Sequence, residues 1–440
     1  MTSVVEGAAR PQAFSPAASA ELGKTLADTP RMAALRAAAA ERAGRVPLPD
    51  ARRERPWKYV DFSLIDLERY TPAIGATWDG NEAQVLDHFG LAQAQGACLA
   101  QHNSATVLSR GIDGVTINDF SQVEAGTAAA RHFEANLGNA VPAESKFMAL
   151  HYAFLRGGVH VDVADNAEVT EPVRISREYA DAGQLATPHT LITTGANSRV
   201  TVIEDYRSDD GDILVLPAVE VFPGPGSQVR YITLHRWGAS TIVAGEQRTI
   251  TDRDSEFNSV SVVTGGRVVK VHIIGSLEGR GSSSEVLGLC LGNGNEYADF
   301  YTLQDHIGPD TRSDLLIKAA LDDSSRAVYY GLTRVGLGAR NADANQENRA
   351  LLLSKKARAD SDPVLEILTN DVIRVAHGAT AGPVDEEQLY YLESRGIPRT
   401  AAEDLLVRAF LGQVLDRVPD DGLREQLETI VEAKLAGSVS

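Results

Sequence analysis

From about residue 96 to residue 376 the sequence returns again and again to short β-branched runs separated by Gly, Asn, Asp and Ser, and this constrains the fold most. Val159-His160-Val161-Asp162-Val163, Val173-Arg174-Ile175, Arg199-Val200-Thr201-Val202-Ile203 and Val229-Arg230-Tyr231-Ile232-Thr233-Leu234 open the series. Arg267 to Ile274, Val286 to Leu289, Asp314 to Lys318 and Ala327 to Tyr330 continue it. Alternation with period two gives each run one inward and one outward face. Roughly 300 residues of this, with no long amphipathic helix between, exceed one sandwich, whereas a β-helix extends its core coil by coil. Two sandwiches in series are the alternative architecture. Alternation alone sets no coil length.

Helical periods flank this region. Thr29-Pro30 predicts a helix start, Met32, Leu35 and Ala39 share one face, and Gly44 with Pro47 predicts the end. Residues 1–28 are rich in Ala, Ser and Pro around a short helical pattern and are expected to be partly mobile. Pro56-Trp57-Lys58-Tyr59-Val60-Asp61 offers two aromatics that could anchor this unit to something larger. After about residue 383, Asp385 to Gln388 and Thr400 to Glu403 read as capping boxes. The second opens a helix with Leu406, Val407, Phe410, Leu411, Val414, Leu415 and Val418 as an apolar stripe, and Leu423, Leu427, Ile430, Val431 and Leu435 follow on another. Such stripes pack together or offer a docking face; from the stripe alone, core packing is the better reading. The division is 1–95 helical, 96–376 β-helix and 377–440 helical.

The net charge of −18 opposes phosphate backbones, and Arg52, Arg53 and Arg55 are interleaved with Glu54, so nucleic acid is not an expected partner. No run of about 18 apolar residues exists and the first residues lack the apolar core of a signal peptide, so a membrane is not expected and the cytoplasm is. Cys98 and Cys290 lie too far apart in the chain for a C-x-x-C pair, and two cysteines make neither a disulfide framework nor a four-cysteine metal site in this chain alone. Gly23-Lys24-Thr25 lacks the upstream glycine of a phosphate-binding loop, and no dinucleotide, zinc-protease or serine-hydrolase motif occurs, so no enzyme is expected.

Histidines carry the remaining interest. His160, His235 and His272 alternate within strands and read as structural, while His306 sits where a strand meets a turn. His377 follows Asp371 to Ala376, read as the last strand, and precedes Gly378-Ala379-Thr380-Ala381-Gly382, small residues that permit close approach by another backbone. The residues alone favour a hinge histidine bonded to a turn carbonyl over an iron or zinc ligand.

The segment Gly331 to Gly382, with Gln346-x-Asn348-Arg349, Leu351-Leu352-Leu353-Ser354, Ala359-Asp360-Ser361-x-Pro363-x-Leu365-Glu366-Ile367 and His377-Gly378-Ala379-Thr380, closely resembles the SufB/SufD family of iron–sulfur cluster assembly proteins. His306-x-Gly308-Pro309-x-Thr311-x-Ser313 and Tyr390-Tyr391-Leu392-x-Ser394-Arg395-Gly396-Ile397 fit the same pattern, and the resemblance runs from about residue 140 to the C-terminus. Pro56 to Asp61 resembles the aromatic motif of the SufD branch. The family's Lys-Cys-Ser-His-Gly-Ala-Thr is here Arg374-Val375-Ala376-His377-Gly378-Ala379-Thr380, so Val375 stands where a SufB-type chain has its cysteine. The resemblance implies a right-handed parallel β-helix with helical N- and C-terminal domains. It implies a SufB–SufD heterodimer bound by the SufC ATPase, with sulfur coming from a cysteine desulfurase system. It places His377 at an iron–sulfur cluster shared with SufB, as an iron ligand or a proton-handling group, with no cofactor held by this chain alone. It also raises the docking reading of the C-terminal helices, with Tyr390, Tyr391, Leu392, Arg395, Leu406 and Phe410 as candidate SufC contacts. A SufB-like homodimeric scaffold and, further off, a stand-alone β-helix enzyme acting on polysaccharide are the alternatives; a homodimer of the chain in isolation is compatible with the first reading.

Overall fold

The computed structural model describes residues 13–73, 75, 78–418 and 420–438. Its strands form two long sheets, and from Gly158–Val163 onward the chain alternates between them. Each strand pairs in parallel with the strand one coil away, giving a parallel β-helix of about eight turns. Bonded side chains one coil apart lie 27 to 34 residues apart, which sets the coil length that alternation leaves open. Seven of the eight predicted runs fall inside strands, and the eighth does so but for its first residue, Arg267.

One corner shows why the chain turns where it does. Asn197, Asp254 and Asp310 adopt left-handed backbone at successive turns, and Gly226 and Gly281 occupy the same place in the coils between. The Asn197 N–H donates to the Pro225 carbonyl at 2.9 Å, Gly226 to Arg253 at 2.9 Å and Asp254 to Arg280 at 2.9 Å, so the turns stack as a ladder. A Cβ at Gly226 would lie 2.7 Å from Asn197 Oδ1, so glycine is the easiest fit at a left-handed place that Asn or Asp fills in other coils. The next residue is Ser or Thr in each coil, and the hydroxyls of Ser198, Ser227, Ser255 and Thr311 donate back across their own turns at 2.8, 2.7, 2.7 and 3.1 Å.

The lumen is filled by Val, Ile, Leu, Phe and Tyr, including Val243, Val269, Phe300, Tyr329, Val286 and Leu315. Two short helices, Ala128–Asn136 and Lys146–Ala153, interrupt the predicted all-strand region; the second is buried on every face, so it lacks the polar stripe that marks an amphipathic helix. At the N-terminal side the helix Pro30–Arg45 begins at the predicted Thr29 cap and runs through Gly44 to Arg45. Pro16–Thr25 is helical, and the expected mobility of residues 1–12 lies outside the described residues. Trp57 is buried against Phe147 and His272 with the Lys270 ammonium 5.2 Å from its ring, so the aromatic motif does anchor this unit to the solenoid.

At the C-terminal side the last strand is Val372–Pro383, seven residues beyond the predicted limit of 376, followed by helices Glu386–Ser394, Arg399–Leu415 and Asp421–Ser438. Asp385 caps the first as predicted, but Thr400 caps nothing: the second begins at Arg399 with Pro398 in the cap position. Val407, Leu411, Val414, Leu415, Leu427 and Val431 pack on Ile232, Val260, Leu287 and Leu316, so most of both stripes is core. No described helix is long and apolar enough to cross a membrane.

Candidate functional site: the open end of the solenoid

The two ends of the β-helix are built differently. At the first coils Ala105–Arg110 and Val115–Asp119 each add an antiparallel strand to the outermost parallel strand and are the terminal strands at that end. At the other end Arg358–Ile367 and Val372–Pro383 are the terminal strands of their sheets, each with a neighbour on one side. Their side chains are half-buried or exposed, where about every second side chain is buried in the strands one coil earlier.

His377 stands in this last strand. It is therefore no hinge at a strand–helix junction: the ladder with Ala342–Leu352 continues past it to Pro383, because small residues that read as loop are tolerated in an edge strand. Its neighbour in register is Gln346, 1 % exposed. Gln346 reaches across the lumen, accepting from Thr333 Oγ1 at 2.8 Å and donating to the Gly331 carbonyl at 3.2 Å. Residues opposite one another in a parallel ladder share a face, so His377 projects from the lumen side. It is exposed because no further coil covers it. Val375, opposite fully buried Ala344, and Ala379, opposite Asn348, flank it on the same face. Gly378 and Gly382 also have a clear setting: neither has left-handed backbone, and a Cβ added at either meets nothing within 4 Å. Nothing within this chain requires glycine there.

The two thiols are withdrawn from sulfur or metal chemistry. Cys98 and Cys290 are buried, and burial pushes both thiols up, Cys290 to about 12, so neither offers a thiolate near neutral pH. Among the described residues no three His, Cys, Asp or Glu come together as a metal-binding group. His306 locks the Gly308–Thr311 turn: the Thr311 hydroxyl donates to Gly308, so it accepts from His306 Nδ1 at 2.8 Å, and Nε2 accepts from Ser313 at 2.8 Å. Burial holds that ring neutral, down to about 4. His160 bonds Thr193 at 2.8 Å and His235 takes the Trp237 indole N–H at 3.2 Å, as structural strand histidines should; His272 packs against Trp57 and Tyr301 with its Nε2 unpartnered.

A groove along one corner is lined by Asp162, Asp165, Asp252, Arg131 and His132. Asp162 is engaged by His132 at 2.7 Å and by Thr193 at 2.6 Å, while Asp165 and Asp252 accept backbone N–H bonds in turns. These three aspartates are committed to structure, whereas Glu124 and Glu278 also line the groove.

Of the candidate docking residues, Tyr390, Tyr391 and Arg395 are exposed, with Arg395 5.2 Å from the Tyr391 ring. Leu392, Leu406 and Phe410 are half-buried. Leu405, 47 % exposed and outside the predicted stripe, joins the exposed set. The helix beneath is riveted to the solenoid. Lys318 donates to the Phe410 carbonyl at 2.7 Å and to Gln413, and Arg417 bonds Glu285 and Asp314 at 2.5 and 2.6 Å.

Comparison with known proteins agrees with the motif. The family described as SUF system FeS cluster assembly, SufBD core domain, matches residues 175–410. Iron-sulfur cluster assembly protein SufD of Bacillus subtilis is 30% identical over 296 residues, covering 66% of this chain and 67% of that one. A SufBD family protein of Mycobacterium tuberculosis is 28% identical over 316 residues, 70% of this chain and 79% of its own. SufB of Bacillus subtilis is 26% identical over 304 residues, 68% and 64%. The chain belongs to the SufBD family of iron–sulfur cluster assembly proteins, and its likeness is to the SufD branch.

Proposed function

We propose that this chain is a non-catalytic SufD-type subunit that pairs with a SufB-like chain through the open end of its solenoid and carries a SufC-like ATPase on its C-terminal helices. The observation that supports this most is the uncapped last coil. Two terminal strands leave backbone donors and acceptors available for pairing, a hazard that a lone protein would cover. Gly378 and Gly382, with open space around them, suit close approach by a partner backbone. His377 then stands at the shared surface, able to offer a nascent cluster one imidazole. One imidazole cannot hold a cluster, so thiolates or carboxylates must come from the partner. The buried thiols of this chain fit that division, as does Val375 beside His377. Tyr390, Tyr391 and Leu405 offer the ATPase an exposed aromatic and aliphatic face on a helical unit fixed to the solenoid by Lys318 and Arg417, a rigid route by which its movement could reach the last coils.

The test is co-expression with SufB-like and SufC-like subunits. One stable complex is expected from the unchanged chain. Gly378→Trp, which has room in this chain, should fold and fail to pair, whereas His377→Ala should pair and lose cluster formation. Recovery of this chain as a lone monomer beside both partners would sink the reading, and unchanged cluster yield in His377→Ala would leave the histidine without a role in assembly.

A further inference from the structure

Eight large hydrophobic side chains are exposed among the described residues, and they fall into two groups. Tyr390, Tyr391 and Leu405 lie on the helices. Ile307, Leu337, Ile367, Leu368 and Ile373 lie together at one corner of the open end. The register explains their stacking. His306, Val335 and Ile367 are opposite one another in three successive strands, so Ile307, Leu337 and Leu368 leave the sheet at the same corner. The Gly336 N–H donates to the His306 carbonyl and the Leu368 N–H to the Val335 carbonyl, both at 2.9 Å, which holds these turns in a stack.

Ile373 reaches the same corner by a different device. Val372 is opposite Ala342 and Arg374 is opposite Asp343, which leaves Ile373 as the extra residue of a β-bulge. A bulge re-aims a side chain, and this one leaves Ile373 70 % exposed. Leu337 is 78 % exposed, so packing within this chain does not account for its being apolar. Large apolar side chains exposed on stacked turns mark a contact site.

We propose that this ridge, Ile307–Leu337–Leu368–Ile373, is what selects the SufB-like partner of the open end over a second copy of this chain. The inference rests on the open-end reading above and adds its specificity. Pairing between strand edges uses main-chain groups that every chain has, so discrimination must come from side chains beside the edge. A second copy would bring the same net charge of −18 to the contact, which opposes self-pairing. The fitting partner carries an apolar recess beside its own terminal strands.

The experiment titrates full-length chain against a purified SufB-like subunit, comparing the unchanged chain, Leu337→Ser, Leu337→Ser with Ile373 deleted, and Gly378→Trp. Deleting Ile373 leaves Arg374 opposite Asp343 and so preserves the register; the single Leu337→Ser variant gives the readout if the deletion unsettles the turn. The ridge variants are expected to bind the partner at least about tenfold more weakly with unchanged melting temperature. Unchanged binding in the ridge variants while Gly378→Trp abolishes it would overturn the ridge and leave the open end standing. Unchanged binding in all of them would remove the open-end reading itself. Loss of self-association of the isolated chain, with partner binding intact, would make the occupant a second copy and overturn the selection proposed.

Discussion

The first and last coils of this solenoid solve the same problem in opposite ways. At the first coils an antiparallel strand is added to each sheet, the buried helix Lys146–Ala153 packs along the flank, and the polar groups inside are knotted together. Arg177 bonds Glu204 at 2.5 Å, the Gly157 carbonyl at 2.6 Å and Thr190 at 2.9 Å, with both charged side chains fully buried. Glu220 accepts the N–H groups of Gly138, Ala140 and Val141 at 2.7 to 2.8 Å and so ties down the connection to that helix. At the last coil small residues, two glycines and an exposed histidine stand on a strand with an open edge. Solenoids need a cap at each end for stability in water. On the proposed reading, the cap missing at the last coil is supplied by the partner.

That contrast can be broken most forcefully at the closed end. Arg177→Met leaves Glu204 buried without its cation, and loss of one partner of a buried pair costs about 3–5 kcal/mol. Chemical denaturation of the isolated chain should show a loss of that order; a change below about 1 kcal/mol would mean that water reaches the pair. Acid should act more gradually. Burial lowers His160, His235 and His306 from 6.5 to about 4 in the folded chain. The unfolded chain therefore binds more protons in this window, and stability is full above about 6.5 and falls as the pH drops toward 4. The melting temperature should decline over that range, less steeply in His306→Ala once the constant cost of losing its turn bonds is allowed for. A melting temperature flat from 6.5 to 4 would contradict the assigned burial. The smallest effect belongs to the open end: His377→Ala should change stability by less than about 0.5 kcal/mol, as an exposed substitution does. A large loss there would mean that His377 supports the fold of the isolated chain.

The strands were legible because β-branched alternation survives wherever one face is buried, and the family motif was legible because it lies on the last coils. The coil length was also written in the sequence, in a different alphabet. Gly195-x-Asn197-Ser198, Gly224-x-Gly226-Ser227, Gly279-x-Gly281-Ser282 and Gly308-x-Asp310-Thr311 are one turn repeated. Strand alternation hides this repeat, since the side chains between turns need only alternate. The end of the strand carrying His377 was not legible because Gly-Ala-Thr-Ala-Gly has low strand propensity, and an edge strand with exposed side chains does not require more. The docking stripes were visible as stripes, but which side of each helix met the solenoid depended on Ile232, Val260 and Leu287, more than a hundred residues upstream in the chain. The exposed ridge was invisible for a similar reason. Ile307, Leu337 and Ile373 look like ordinary core residues until the register and the bulge place them outside.

The claim that the open end is the pairing surface is tested most directly by amide hydrogen exchange of Val372–Pro383, measured on the isolated chain and on its complex with a SufB-like subunit. The account predicts fast exchange of the outward-facing amides in isolation and strong protection in the complex, with the closed-end strand Cys98–His102 protected equally in both. Unchanged exchange in Val372–Pro383, with new protection appearing elsewhere on the solenoid, would contradict it.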